Sequence, residues 1–126
     1  INGGGGLTAT TYAANTFDTL KIFGLTSNEP VVNMNTFLDG KVHGINRIDV
    51  TGDNTSTKLI FSAADVQALV GVGGTLTVML DNNSSNDSIL ANGFFGAGQT
   101  GSQSYYAFYS DNTYTQEIAR INVQYV

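Results

Sequence analysis

The residues whose spacing could do chemistry lie in "LDNNSSND", Leu80 to Asp87. Asp81, Asn83, Ser85 and Asp87 alternate as oxygen donors, the pattern that opens an EF-hand calcium loop. That loop needs Gly where Asn86 stands and a bidentate Glu where Asn92 stands, so an EF-hand is excluded. Two readings stay open. One is a looser calcium site completed by backbone carbonyls. The other is an Asx-rich turn between strands, because Asn and Asp side chains bond their own backbone and favour turns. A second set is aromatic: "SYYAFYSDNTY" holds Tyr105, Tyr106, Tyr109 and Tyr114. Tyrosines on a strand can stack on sugars or bury at a protein interface. Successive strand residues face opposite sides, so one alternating set faces the core. Tyr105 and Tyr109, or Tyr106, are then the candidate contact residues.

Other chemistry finds little to work with. His43 is the single histidine, in "GKVHGIN", with no recognisable nucleophile motif beside it, which argues against a triad. One histidine also cannot build a histidine-rich metal site. Paired-carboxylate glycosidase chemistry would fall to Glu29 and Glu117 or the aspartates, and no groove signal accompanies them. "GFFGAGQTGSQ" reads as a Gly-rich loop without the G-K-[ST] of a phosphate cradle. No catalytic residue is expected. Asp49 is expected to cap backbone N–H groups near Gly52–Asn54, and Asp65 to meet the dipole of a helix N-terminus, with metal binding the alternative for both. Asp53 and Asp111 read as turn formers.

Composition narrows the partners. The 126 residues suit one domain, and a net charge of −5 leaves too few Lys and Arg to neutralise a nucleic-acid backbone or an anionic membrane. Charged residues make up 12%, about half the usual share. Without cysteine there is neither a disulfide nor a thiolate zinc site. Calcium is then one candidate staple for an extracellular protein. No apolar run approaches the roughly 20 residues of a membrane-spanning helix, so membrane insertion is not expected. "INGGGG" and "RINVQYV" at the two ends suggest a module cut from, or processed out of, something longer.

These residues must be positioned mainly by strands. Period-two runs of β-branched and aromatic residues, separated by Gly, Asn, Asp and Ser, predict strands near "LTATTY", "DTLKIFG", "PVVNM", "INRIDVT", "TKLIFS", "TLTVML", "DSILANG", "YYAFYS" and "RINVQYV", with "TYTQEI" as another. One short helix is predicted near 62–70, with Ser62 as N-cap, Asp65 in the first turn, Val66, Leu69 and Val70 as the buried stripe, and Gly71 as the stop. Leu20, Ile48, Val78 and Phe108 recur about 28 to 30 residues apart, and Val32, Leu59 and Ile89 form a parallel series. This predicts an all-β domain over 1–126: a two-sheet, solenoid-like parallel coil, or else an antiparallel β-sandwich. Residues 1–17 read as a Gly-rich lead-in, 18–93 as the solenoid-like core and 94–126 as C-terminal hairpin strands.

The stretch from Ile45 to Ile89 resembles a module of very large RTX-type bacterial surface proteins, exported by type I secretion and often adhesive. The family pattern runs I-x-x-I-D-L-T-G, then T-L-x-L-S-x-x-D-V-L-x-L, then T-L-x-V-D-G-x-x-G-D-x-V. Ile45, Ile48, Asp49, Thr51 and Gly52 match the first piece; Leu59, Ser62, Asp65, Val66 and Leu69 the second; Leu76, Val78, Asp81 and Asp87 the third. "FDTLKIFG" resembles the strand that closes a glycine-rich calcium nonapeptide. "DNNSSND" keeps both aspartates without the family's glycines. The resemblance implies a calcium-dependent, secreted or cell-surface β module that is structural or adhesive and not catalytic. Three functions are expected from the chain as a whole: an adhesin building block stacked on neighbouring copies or modules, a self-assembling subunit of an extracellular filament or surface layer, or a carbohydrate-binding module contacting surface glycans.

Overall fold

The computed structural model describes residues 18–22, 30–52, 55–81, 87–101 and 103–126. In chain order the elements are β1 (Thr19–Lys21), β2 (Val31–Asn33), α1 (Met34–Leu38), β3 (Arg47–Asp49), β4 (Lys58–Phe61), α2 (Ala63–Val70), β5 (Thr75–Leu80), β6 (Ser88–Ala91), β7 (Phe95–Thr100), β8 (Gln103–Tyr109) and β9 (Glu117–Tyr125). The expected strand "LTATTY" lies outside the described residues.

The chain alternates between two sheets, so the fold is strand-rich with one parallel and one mixed sheet. A six-stranded sheet has the order β1-β3-β5-β9-β8-β7, and a three-stranded sheet the order β2-β4-β6. Leu20 pairs with Ile48 and Ile48 with Val78 in parallel register, while Val32, Leu59 and Ile89 align in the smaller sheet. Apolar residues at alternate positions therefore face one core. Ile48, Leu59, Phe61, Leu76, Val78 and Ile121 are fully buried in it. Each large side chain of this kind contributes about 1.5–3 kcal/mol relative to exposure.

The fourth place in the Leu20 series belongs to Val123 of β9, which pairs in parallel with Val78. Phe108 lies one strand further out, on antiparallel β8, opposite Ala119 and Phe95. The spacing points to Phe108 because it assumes that the chain returns directly to the sheet. It makes the β7–β8 hairpin first, and the longer alternating run of β9 takes the slot beside β5. Among the described residues antiparallel pairing is confined to β7, β8 and β9. Only Asn92, Gly93 and Phe94 join β6 to β7, a link reaching at most about 3.6 Å per residue, so the start of β7 stays near the end of β6.

Three local expectations need correction. "GFFGAGQTGSQ" is not a loop: Phe95–Thr100 is strand β7. "TYTQEI" is not a separate strand, since only Glu117 and Ile118 join a strand, as the start of β9. A second helix exists as α1, started by the Asn33 side chain accepting from the Asn35 amide and ended by Asp39 in the left-handed region. Helix α2 forms as expected. Ser62 Oγ accepts from the Asp65 amide at 3.3 Å and Asp65 Oδ2 from the Ser62 amide at 2.8 Å, a reciprocal capping box. Gly71, at φ 84°, ends the helix in a conformation that a side chain would disfavour.

Candidate functional site

Asp81 and Asp87 come together where the chain leaves the larger sheet for the smaller one. Asp81 follows β5 and Asp87 precedes β6, and both are buried. Their carboxylates accept from backbone amides. Asp87 Oδ2 takes the Asp81 N–H at 2.8 Å, closing its own loop, and Asp87 Oδ1 takes the Thr57 N–H at 3.0 Å. Asp81 Oδ2 takes the Gly52 N–H at 3.0 Å. Thr57 and Gly52 belong to the preceding turn of chain, so the pair stitches one turn to the next. Charge-assisted bonds of this kind are stronger than neutral ones. Asn83 and Ser85 lie outside the described residues.

One turn earlier, Asp49 does a related job with different partners. Its Oδ1 accepts from the Thr51 amide at 2.8 Å, the Thr51 hydroxyl at 2.6 Å and Lys21 Nζ at 3.1 Å. Lys21 also donates to the Thr51 carbonyl. The expected cap near Gly52–Asn54 is thus divided: Asp49 takes Thr51, and Asp81 takes Gly52. Burial pushes the Asp49 carboxyl up, but the bonds from Thr51 and Lys21 outweigh it and hold it below the ordinary aspartate value.

Calcium needs six to eight oxygen ligands converging at 2.3–2.6 Å. Three of the four carboxylate oxygens of Asp81 and Asp87 accept from N–H donors on separate segments. Among the described residues no group of three or more His, Cys, Asp and Glu could hold a metal ion. The three described bonds make the pair a staple between successive turns of chain.

The tyrosines divide by face. Tyr106 and Phe108 point to the core, where Phe95 packs on both, with ring centroids 6.2 and 6.5 Å away. Tyr105 and Tyr109 point outward and lie over the glycines of β7. A Cβ on Gly98 would sit 2.7 Å from the Tyr105 hydroxyl, and one on Gly96 would sit 3.7 Å from the Tyr109 ring. Arg120 covers Tyr105 with its guanidinium 4.3 Å from the ring centroid, and Glu117 holds Arg120 at 2.6 Å. Tyr114, in the aromatic segment but not among the expected contact residues, stacks edge-on against Tyr109 at 5.4 Å and is 51% exposed. It adopts φ 55° in a turn that Asp111 ties down by accepting from the Thr113 amide. Nothing about Tyr114 in the sequence signals that conformation. Arg120 was missed for a different reason: its partner Tyr105 is on another strand.

His43 rests against the Ala68 carbonyl, with Nδ1 3.3 Å away. A cleft of about 370 Å³ beside α2 is lined by Gly44, Asn46, Leu69, Val70 and Thr75, none of which titrates near neutral pH. No helix among the described residues is long and apolar enough to cross a membrane. No family model matches the chain, and no curated protein or solved structure matches it either.

Proposed function

We propose that this chain is a non-enzymatic structural and adhesive building block of an extracellular bacterial surface protein, folded as a solenoid-like coil of two sheets. The observation that carries this reading is the stitched parallel stack. Equivalent residues of successive turns sit side by side in both sheets, and buried carboxylates bond across the turns. Such a stack offers extended, rigid surface and asks of its side chains only packing and hydrogen bonding. The order of residues shared with RTX-type modules supports the same reading. Fractionating producing cells and probing with antibody to the purified chain tests it. Recovery from the medium or the cell surface is expected, with reduced attachment of cells lacking the chain. Recovery from the cytoplasm, or unchanged attachment, overturns it.

Calcium, implied by the family likeness, is separable from this proposal. With amides already bound to Asp81 and Asp87, melting curves in calcium and in chelator should superimpose. A higher melting temperature in calcium would return an ion to the 81–87 loop.

The filament reading finds an uncharged edge at β7, which lengthens a filament only together with a second contact elsewhere on the chain. Sedimentation decides it, since a filament subunit forms large polymers.

A further inference from the structure

We infer that β7 is a docking edge for a second copy of this chain, pairing antiparallel with its own equivalent in a symmetric dimer. Strand β7 ends the six-stranded sheet, and among the described residues its outer side has no partner. Its pairing with β8 shows which backbone groups are free. The Tyr109 amide bonds the Phe94 carbonyl at 2.7 Å, and Phe94 and Tyr109 are opposite in the register that pairs Phe95 with Phe108. Antiparallel neighbours alternate between bonded and non-bonded pairs. Gly96, Gly98 and Thr100 therefore turn their N–H and C=O groups toward β8. Phe95, Ala97 and Gln99 turn theirs to the open edge.

That odd-numbered set is self-complementary. Centring two antiparallel copies on Ala97 places Ala97 opposite Ala97 and Phe95 opposite Gln99. Every outward N–H and C=O then finds a partner, and side chains of one face meet side chains of the same face. The two strands also match in length, which short β1 at the far edge would not.

Charge and packing select the same partner. A chain of net charge −5 repels its own copies over most of its surface, yet from Ser88 to Ser110 it has no charged residue. Edge strands usually carry Lys, Pro or a bulge that blocks such pairing, and β7 has none of these. Phe94 and Phe95 are 45% and 37% exposed beside it, and Ala97 and Gln99 are exposed on the same face as Phe95. On the other face the glycines are already covered by Tyr105 and Tyr109. A second β7 would extend the sheet and shield the phenylalanines. An isologous contact closes on itself and stops at two copies.

Sedimentation velocity and light scattering across a concentration series test this. A doubling of molar mass is expected with rising concentration. Ala97→Lys should abolish it by placing like charges opposite each other, and Ala97→Pro by removing an outward N–H that β8 does not use; both should keep the parent's circular dichroism and melting temperature. The chain has no cysteine, so Ala97→Cys supplies a unique thiol, and bonded antiparallel residues lie about 5.5 Å apart at Cα, within disulfide reach. Oxidation should link it into a covalent dimer, while Thr77→Cys, on β5 inside the sheet, should not link. A monomer at every concentration overturns the proposal. So does a dimer unaffected by Ala97→Lys and unlinked through Ala97→Cys, or open-ended polymerisation through another edge. Should Ala97→Lys unfold, the disulfide result alone decides.

Discussion

The parallel strands β1–β6 and the C-terminal strands β7–β9, which pair antiparallel with one another, solve the same problem, an interrupted apolar pattern, by different means. In the parallel part the weak points are the turns, and polar side chains repair them by reaching the neighbouring turn: Asp81 to Gly52, Asp87 to Thr57, Lys21 to Asp49. In the antiparallel part the weak point is β7 itself, with glycine at 96 and 98, and tyrosines on the adjacent strand cover it. Buried carboxylates are unforgiving because each leaves amides stranded when removed. A tyrosine lying on a glycine can swing away. The comparison predicts that damage at the turns costs more than damage at β7.

Asp87→Ala should be the most destructive change. It leaves the Asp81 and Thr57 amides without their acceptor in a buried corner, at about 1–3 kcal/mol each. Urea unfolding should show a loss of about 2–6 kcal/mol, and Asp87→Asn, which keeps one carbonyl acceptor, a smaller one. Equal stability of Asp87→Ala and the parent would remove the staple from the account.

Next come the two glycines, which differ from each other. Gly98→Ala drives a methyl to 2.7 Å from the Tyr105 hydroxyl, so the ring must leave β7 and its stacking under Arg120. Losing that packing and the cation–π contact should cost about 1–2 kcal/mol. Gly96→Ala meets Tyr109 at 3.7 Å, an ordinary contact, and should be neutral or stabilising by up to about 1 kcal/mol, as glycine is costly in a strand. The melting temperature should therefore fall for Gly98→Ala and hold or rise for Gly96→Ala.

The two regions were not equally legible from sequence. The parallel part announced itself because Leu20, Ile48 and Val78, and Val32, Leu59 and Ile89, keep one spacing in the chain and one register in the sheets. The capping box of α2 was legible because Ser62 and Asp65 are local. Strand β7 was not, because Gly-Ala-Gly looks like a loop until the covering tyrosines are known, and they belong to another strand. The slot of β9 beside β5 was hidden for the same reason: pairing across a hairpin leaves no spacing to read. In the candidate site, Asp81 and Asp87 were found from their spacing, but the donors they accept from, Gly52 and Thr57, are brought in by the fold.

The seam between the regions offers a smaller test. A register shift in the β8–β9 pairing falls where Phe108 opposes Ala119 and Tyr109 opposes Glu117, leaving Ile118 as the extra residue. Its carbonyl accepts from Gln67 Nε2 at 3.1 Å and from the Gly73 amide at 3.3 Å, tying α2 and its turn to β9. Gln67→Ala should cost about 1 kcal/mol in urea unfolding, since Gly73 still serves that carbonyl. Were the two regions to melt separately in this variant but together in the parent, the seam would be what makes them cooperative.

The smallest effect belongs to Asp49, and its sign distinguishes a staple from a surface ion pair. The folded pKa of Asp49 is depressed, so its contribution is complete above the unfolded aspartate value, about 3.9, and is lost as pH falls through the lower folded value. Lys21 is 41% exposed on its side chain, so the ion pair itself is worth at most about 1 kcal/mol and weakens with salt. The bonds from Thr51 do not depend on Lys21. Lys21→Met should therefore reduce the Asp49 share of the acid-side stability loss only in part and lessen its salt dependence, whereas Asp49→Asn should remove that share altogether. Acid titrations of the three proteins at low and high salt measure this directly. If Lys21→Met flattened the acid limb as fully as Asp49→Asn, the turn would be held by the ion pair, and the contrast between stitched turns and covered glycines would rest on Asp81 and Asp87 alone.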